Sequence, residues 1–299
     1  MGSHDTSRPQ SLPASRRRFL HGVLATAGVL FALSGGGALP EAKAGETLLT
    51  AIKERGVLRA GIRRDNPPHS FIDGKGQWVG FDVDIAQGVA DEMGLKLERV
   101  PVDEMTRISY LQNGTIDVAV ASMSHTWKRD DAVDFSQTYF WSKQTFLVDG
   151  SKVKCYDDLV GKVVGMSRGS HAIGNWRTWL ARNGKPWSAE HVVEFGNKQA
   201  AVEAVRQGAI AGYAEDYEVL ASYAKKHPGL AILSAEAIGM KQDGIGIREN
   251  DSKLRDAINR ALQQLQEKGT YKVIYDRWFG PDSAMPIPLE EQIEVWPHG

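Results

Sequence analysis

From Gly45 onward, short segments with strand character alternate with segments whose apolar residues recur at helical spacing, and glycines stand at the joins. That alternation constrains the chain to α/β layers. It predicts a buried strand over 57–62 and a helix over 81–93. In that helix Ile85, Ala86, Val89, Ala90 and Met93 share one face, and Gly94 ends it. A strand over 95–100, a short helix over 108–112 closed by Asn113-Gly114, and a strand over 116–121 complete the first series. A second series repeats the scheme. A strand over 162–166 leads into a helix opened by Gly169-Ser170 and carrying Trp176, Trp179 and Leu180, and the tryptophans there, with Trp187, read as core packing. A strand over 192–195, a helix over 200–206 and a strand over 209–214 follow.

The two series share a local pattern. Residues 111–122 (LQNGTIDVAVAS) and 205–216 (VRQGAIAGYAED) each run from a helix end through a glycine into a strand that delivers polar groups at its tip. Two similar α/β lobes, each a mixed and mostly parallel sheet flanked by helices, are expected to face each other. After Asp243 the pattern gives a strand over 244–247 and an amphipathic helix with Leu254, Ile258, Ala261, Leu262 and Leu265, which residues 271–279 extend. The chain is expected to cross between lobes near 141–148 and again near 240–247, forming a two-strand hinge. The expected organisation is residues 45–142 in lobe 1, 143–242 in lobe 2, and 243–299 returning to lobe 1 with the C-terminal helices and tail.

Residues 1–44 have a different character. Arg16-Arg17-Arg18-Phe19-Leu20 precedes an uncharged run of 13 residues, 22–34, and then Ala42-Lys43-Ala44, a small-x-small pattern. Spanning a bilayer takes roughly 20 apolar residues, so this is the pattern of an export signal. The consecutive arginines resemble the twin-arginine signal, with the Sec route as the alternative. Without the leader 255 residues remain, with a net charge of −4, because the leader carries five of the 36 basic and two of the 37 acidic residues. The only cysteine, Cys155, permits neither an intramolecular disulfide nor a cysteine-rich zinc site, and lipidation at a new terminal cysteine is not expected. The product is expected free in the periplasm.

Near-balanced charge leaves no basic footprint for nucleic acid. Phosphate loops, HExxH and paired Cys/His spacings are absent, and Asp82-x-Asp84 reads as helix capping rather than a metal pair. No cofactor, metal or catalytic group is expected. What remains is a set of polar groups at strand ends. Ser122-x-Ser124-x-Thr126-x-x-Arg129 follows the strand over 116–121, and hydroxyls with a guanidinium suit a carboxylate. An Arg–Asp ion pair on a solvated turn would leave the same pattern. On the other lobe Gly169-Ser170-His171 opens a helix, whose free N–H groups favour an anion. Glu215-Asp216 ends the opposing strand and can accept from an ammonium. An anion grip facing a carboxylate across a hinge describes recognition of an α-amino acid.

At this point residues 45–299 resemble the polar amino-acid family of periplasmic solute-binding proteins, the receptors of ABC importers. The resemblance rests on residues 80–86 (GFDVDIA), 111–117 (LQNGTID), Arg129 with Asp134-Phe135-Ser136, Gly169-Ser170, Asp216, and 275–280 (YDRWFG). It implies the type II periplasmic-binding fold, and a monomer that binds an amino acid and docks to membrane permease subunits. It also implies that Arg129 holds the α-carboxylate with Ser124 and Ser170, while Asp216 holds the α-amino group. Residues 105–114 (MTRISYLQNG) and Gly61-Ile62-Arg63 are similar to the glutamate/aspartate-binding branch, which implies Arg107 and Arg63 beside a second carboxylate. His69 stands where the family usually has an aromatic residue, and is expected to stack on the ligand or add charge. Cyclohexadienyl dehydratases resemble this family too, and there Glu215 would be the candidate acid. A receptor for another polar amino acid or anionic solute is the further alternative.

Overall fold

The computed structural model describes residues 47–233, 237–283, 286, 287 and 289; the leader over 1–44 lies outside them. One nine-stranded sheet runs through this part of the chain. Its order is Lys96–Pro101, Val57–Ile62, Val118–Ala119, Gly239–Arg248, Val133–Asp149, Gly212–Asp216, Val164–Ser167 and Val192–Phe195, with Leu230–Ile232 paired to the end of Val133–Asp149. At the two ends of this order neighbouring strands are parallel. In the middle, Val133–Asp149 is antiparallel to Gly239–Arg248 over its first part and to Gly212–Asp216 over its last.

The strands over 57–62 and 192–195 have the expected bounds. The largest departure is Val133–Asp149, 17 residues in one strand, of which the sequence reading recognised only the crossing segment. Its polar residues Ser136, Gln137, Ser142, Gln144 and Thr145 are all buried, so the in–out alternation that marks a half-exposed strand is missing. Gly239–Arg248 likewise begins five residues before the expected strand. The strand over 116–121 shrinks to Val118–Ala119, and a three-stranded sheet of Asp65–Asn66, Ser70–Ile72 and Trp78–Val79 was not foreseen. Residues 271–279 do not extend the preceding helix. Gly269, at φ 75°, separates Ser252–Glu267 from Thr270–Phe279.

The apolar residues divide into clusters along the same lines. One collects Ile52, Leu58, Ile85, Val89, Phe140, Ile247, Leu254, Ile258, Leu262 and Phe279. Another collects Phe146, Val148, Tyr156, Val164, Trp176, Leu180 and Ala214. The changeover falls between Phe140 and Phe146 on one long strand and between Ile238, just before the other, and Ile245 within it. In the first cluster Phe81–Glu92 packs against Ser252–Glu267. At Gly88 a Cβ would stand 3.0 Å from Leu265 Cδ2, so any larger residue there would require the Leu265 side chain to give by a few tenths of an ångström. In the second, stacked Trp176 and Trp179, 5.0 Å apart, anchor Ala172–Arg182 and hold its first residues at the sheet. The strand ends of both clusters meet around Ser124, Gly169 and Asp216.

Candidate functional site

Seven of the nine residues expected in the site line one tight cleft of about 10 Å³ between the two sets of strand ends: Arg107, Ser122, Ser124, Arg129, Ser170, His171 and Asp216. Arg129 is the third residue of the short helix Trp127–Asp130, which Thr126 caps by accepting from the Arg129 main-chain N–H. Its guanidinium donates from Nη1 to Ser124 O at 2.8 Å and from Nη2 to Gly169 O at 3.2 Å, reaching across the cleft. Arg107 begins the helix Arg107–Gln112 and donates from Nη1 to Ala121 O at 2.8 Å; its Nε has no partner among the described residues. Neither guanidinium has a carboxylate within ion-pair distance among the described residues. Burial, and then the charge of Arg129, pull the Arg107 pKa down to about 9 although Glu104 opposes them. Burial lowers Arg129 as well. Two desolvated positive charges thus stand near each other, hydrogen-bonded to carbonyls and offset only by the charges of Glu104, Asp216 and Asp243 beyond ion-pair distance.

The opposite wall is acidic and only partly compensated. Asp216 ends Gly212–Asp216 and is buried. It ion-pairs with Lys241 through Oδ2 and accepts from Gln144 Nε2 at 3.1 Å through Oδ1. Burial disfavours its charge, but Lys241 outweighs that and holds the pKa near about 2. Lys241 Nζ also lies 2.9 Å from Asp243 Oδ2, while Asp243 Oδ1 has no hydrogen-bond partner among the described residues. Burial pushes Asp243 up to about 6 against the pull of Lys241. Two carboxylates therefore share one ammonium. His171 precedes Ala172–Arg182 and meets Ser124 Oγ through Nδ1 at 3.3 Å. Burial lowers its pKa to about 4, so the ring is neutral at pH 7 and its Nε2 lacks a partner among the described residues.

Two expected site residues are elsewhere. Arg63 is not an open cation: it pairs with Glu104 at 2.5 Å and Asp65 at 3.0 Å in an adjoining recess that Lys198 and Arg168 also line. Lys198 in turn contacts Glu104 at 3.5 Å and ion-pairs with Glu215. His69 does not face the cleft. It is fully buried against Phe81, Phe140 and Phe279, donates to Glu218 through Nε2 at 2.8 Å, and has Nδ1 3.6 Å from Asp82. The main chain explains this placement. The carbonyls of Pro68 and His69 accept from Phe81 N and Asp82 N, the exposed donors that begin the next helix. At Gly80 a Cβ would stand 2.2 Å from His69 O, so the turn closes only over glycine.

Ser122 lines the cleft, but its hydroxyl is committed. It donates to Asp82 Oδ2 at 2.8 Å and accepts from Asn66 at 3.0 Å, which holds the residue at φ 46°. Asp82 and Asp84 are not helix caps. Asp82 binds Ser122 and Tyr139, and Asp84 binds Arg277 and Trp278. Glu215 accepts from Ser167 at 2.7 Å and Tyr213 at 3.1 Å beside Lys198, so it is a buried, fully engaged carboxylate. The residues that sequence reasoning missed are Glu104, Gln144, Lys198 and Lys241. Lys241 and Asp243 stand two apart on one strand and so share a face, a signal the sequence does carry.

Comparison with known proteins identifies the family. Residues 58–281 match the model of the bacterial extracellular solute-binding proteins, family 3. The chain is 29% identical over 269 residues to the L-cystine-binding protein TcyJ of Escherichia coli (strain K12), covering 89% of this chain and 96% of that protein. An ancestral arginine-binding protein bound to glutamine superposes with a TM-score of 0.68 at 36% identity, over 76% of this chain and 99% of the other. The ancestral amino acid-binding protein AncCDT-1, a precursor of cyclohexadienyl dehydratase, does so with 0.67 at 32% identity, over 78% and 99%. The chain belongs to the family 3 solute-binding proteins and has the type II periplasmic-binding fold.

Proposed function

We propose that this family member is a periplasmic receptor that closes on an acidic α-amino acid, aspartate or glutamate, and delivers it to the permease of an ABC importer. The observation that carries the ligand class is the pair of buried guanidiniums, Arg107 and Arg129, whose hydrogen bonds run to main-chain carbonyls. A desolvated cation gains most from an anion that reaches it directly, and two such cations call for two carboxylates. In this reading Arg129 binds the α-carboxylate with Ser124 and Ser170. Arg107 binds the side-chain carboxylate, and the α-ammonium shares Asp216 and Asp243 with Lys241. Contacts already spanning the cleft, Arg129 to Gly169 O and Ser124 to His171, are those a closed receptor would keep.

The relatives differ in what their names say they bind, L-cystine in one and arginine or glutamine in another, so the choice of ligand rests on the cleft's own charges. Export through the twin-arginine route belongs to the same proposal, and replacing Arg16 and Arg17 with lysine should leave precursor in the cytoplasm. The ligand is tested by a thermal-shift screen of the twenty amino acids, because a ligand that binds only the folded state raises its melting temperature. Aspartate and glutamate are expected to give the largest shifts; a larger shift with a neutral or basic amino acid refutes the reading. Incubation with prephenate and arogenate tests for an enzyme instead. Appearance of phenylpyruvate or phenylalanine would establish one, although Glu215 is engaged by Lys198, Ser167 and Tyr213.

A further inference from the structure

The cleft holds a buried cation that recognition of an acidic amino acid does not require. Lys241 is 3% exposed, lies on the strand Gly239–Arg248 and lines the cleft beside Asp216. Its ammonium contacts Asp216 and Asp243 together, occupying the position next to Asp216 that a ligand cation would otherwise take. Gln144 fills the other Asp216 oxygen, and its own Oε1 accepts from Asn175 Nδ2 at 3.0 Å, so the carboxylate is held in place from both sides. Glu218 adds a further negative charge within reach of Lys241, itself hydrogen-bonded to Ser142 and His69.

We infer that Lys241 is a built-in counter-ion that excludes amino acids with cationic side chains from this cleft. The inference rests on the reading of the cleft as an amino-acid site. With Glu218 paired to His69, one lysine against two aspartates leaves a single negative charge for the ligand to match, which suits one α-ammonium. A lysine or arginine ligand brings a second cation into a space where Lys241 stands on one side and Arg107 and Arg129 on the other. Removing the Lys241 charge would leave Asp216 and Asp243 able to pair with two ligand cations. The same change would remove a positive charge from the surroundings of an acidic ligand. One residue would thus set the sign of the preferred side chain without touching the groups that grip the carboxylates.

The test titrates lysine, arginine and glutamate into the wild-type protein, Lys241→Met, Lys241→Arg and the double variant Lys241→Met/Asp243→Asn. Lys241→Met keeps most of the aliphatic stem and loses the charge. Its affinity for lysine and arginine is expected to rise about tenfold or more over wild type, while that for glutamate falls, as one unscreened charge in a buried site permits. Lys241→Arg should keep the wild-type order. The double variant removes one charge of each sign, so it should lose the gain for lysine and arginine. If Lys241→Met does not fold, Lys241→Gln, which still donates to Asp216, is read in its place. Neutral variants that fold and bind lysine and arginine no better than wild type overturn the inference. So does a wild-type protein that already binds them tightly. A wild-type protein that binds no acidic amino acid refutes the proposed ligand instead, and the gain for basic ligands then decides this inference by itself.

Discussion

Replacing Arg107 with methionine should weaken glutamate far more than glutamine and leave the unliganded fold nearly as stable as before. Arg107 is 2% exposed, so a carboxylate that reaches it forms a desolvated pair. Truncating one partner of such a pair costs about 2–5 kcal/mol, a loss of roughly thirty- to several-thousand-fold in affinity. Glutamine loses only a hydrogen bond from a charged donor to a neutral oxygen, about 1.5–3 kcal/mol, so the gap between the two ligands should narrow roughly tenfold. In the free protein two effects oppose each other. Methionine leaves Ala121 O without its donor at 2.8 Å, but it also removes the charge that burial and Arg129 destabilise. The melting temperature should therefore move by no more than about 4 °C, the equivalent of about 1 kcal/mol at this size. Calorimetric titration with both ligands, beside a melt of each free protein, reads all three quantities. Equal losses for glutamate and glutamine, or an effect that high salt erases, would refute the argument. Salt screens an exposed guanidinium and hardly touches one this deeply buried.

Other consequences follow from the same geometry. Arg129→Ala should cost any α-amino acid about 2–5 kcal/mol of binding, and Asp216→Ala a comparable amount through the ammonium; near-wild-type calorimetric affinity in either variant would remove that residue from the site. Affinity should also depend on pH through Asp243, which burial raises to about 6. A bound ammonium favours its ionised form and lowers that pKa. Affinity is then full above about pH 6 and falls as pH drops through it, by at most tenfold per unit, with proton release visible by calorimetry in buffers of different ionisation heat. His69 governs stability instead. Burial disfavours its charge, but Asp82 and Glu218 prevail and push it up to about 10. The stability it adds is whole below the ordinary histidine value near 6.5 and lost as pH rises through about 10, so between those values the wild-type melting temperature should fall more than that of His69→Phe.

How much of this was legible in the chain depends on where each partner lies. Arg129, Ser124, Ser170 and Asp216 stand at the ends of segments whose strand or helix character is local, and the structure brings them into one cleft. The fold class was legible for the same reason. His69 was misread because its surroundings are remote: Glu218 is 149 residues away, and the helix that its carbonyl caps begins beyond an intervening hairpin. Arg63 looked like a free cation because nothing local shows that Glu104, 41 residues on, turns into it. Lys198 opens a helix after the capping Asn197, a position that is normally solvent-exposed, and no pattern in the chain announces its burial against Glu215. Lys241 alone among the missed residues left a trace, in its two-residue spacing from Asp243.

An acidic ligand is tested most directly by calorimetric titration of aspartate, glutamate, asparagine and glutamine into the wild-type protein at low and high salt. Each acid and its amide differ in little beyond the charge, so the comparison isolates what Arg107 and Arg129 are held to do. The acids should bind more tightly than their amides by about 2 kcal/mol or more, roughly thirtyfold, and that difference should persist at high salt. Amides that bind as tightly as the acids, or more tightly, would contradict the assignment of this cleft to an acidic amino acid.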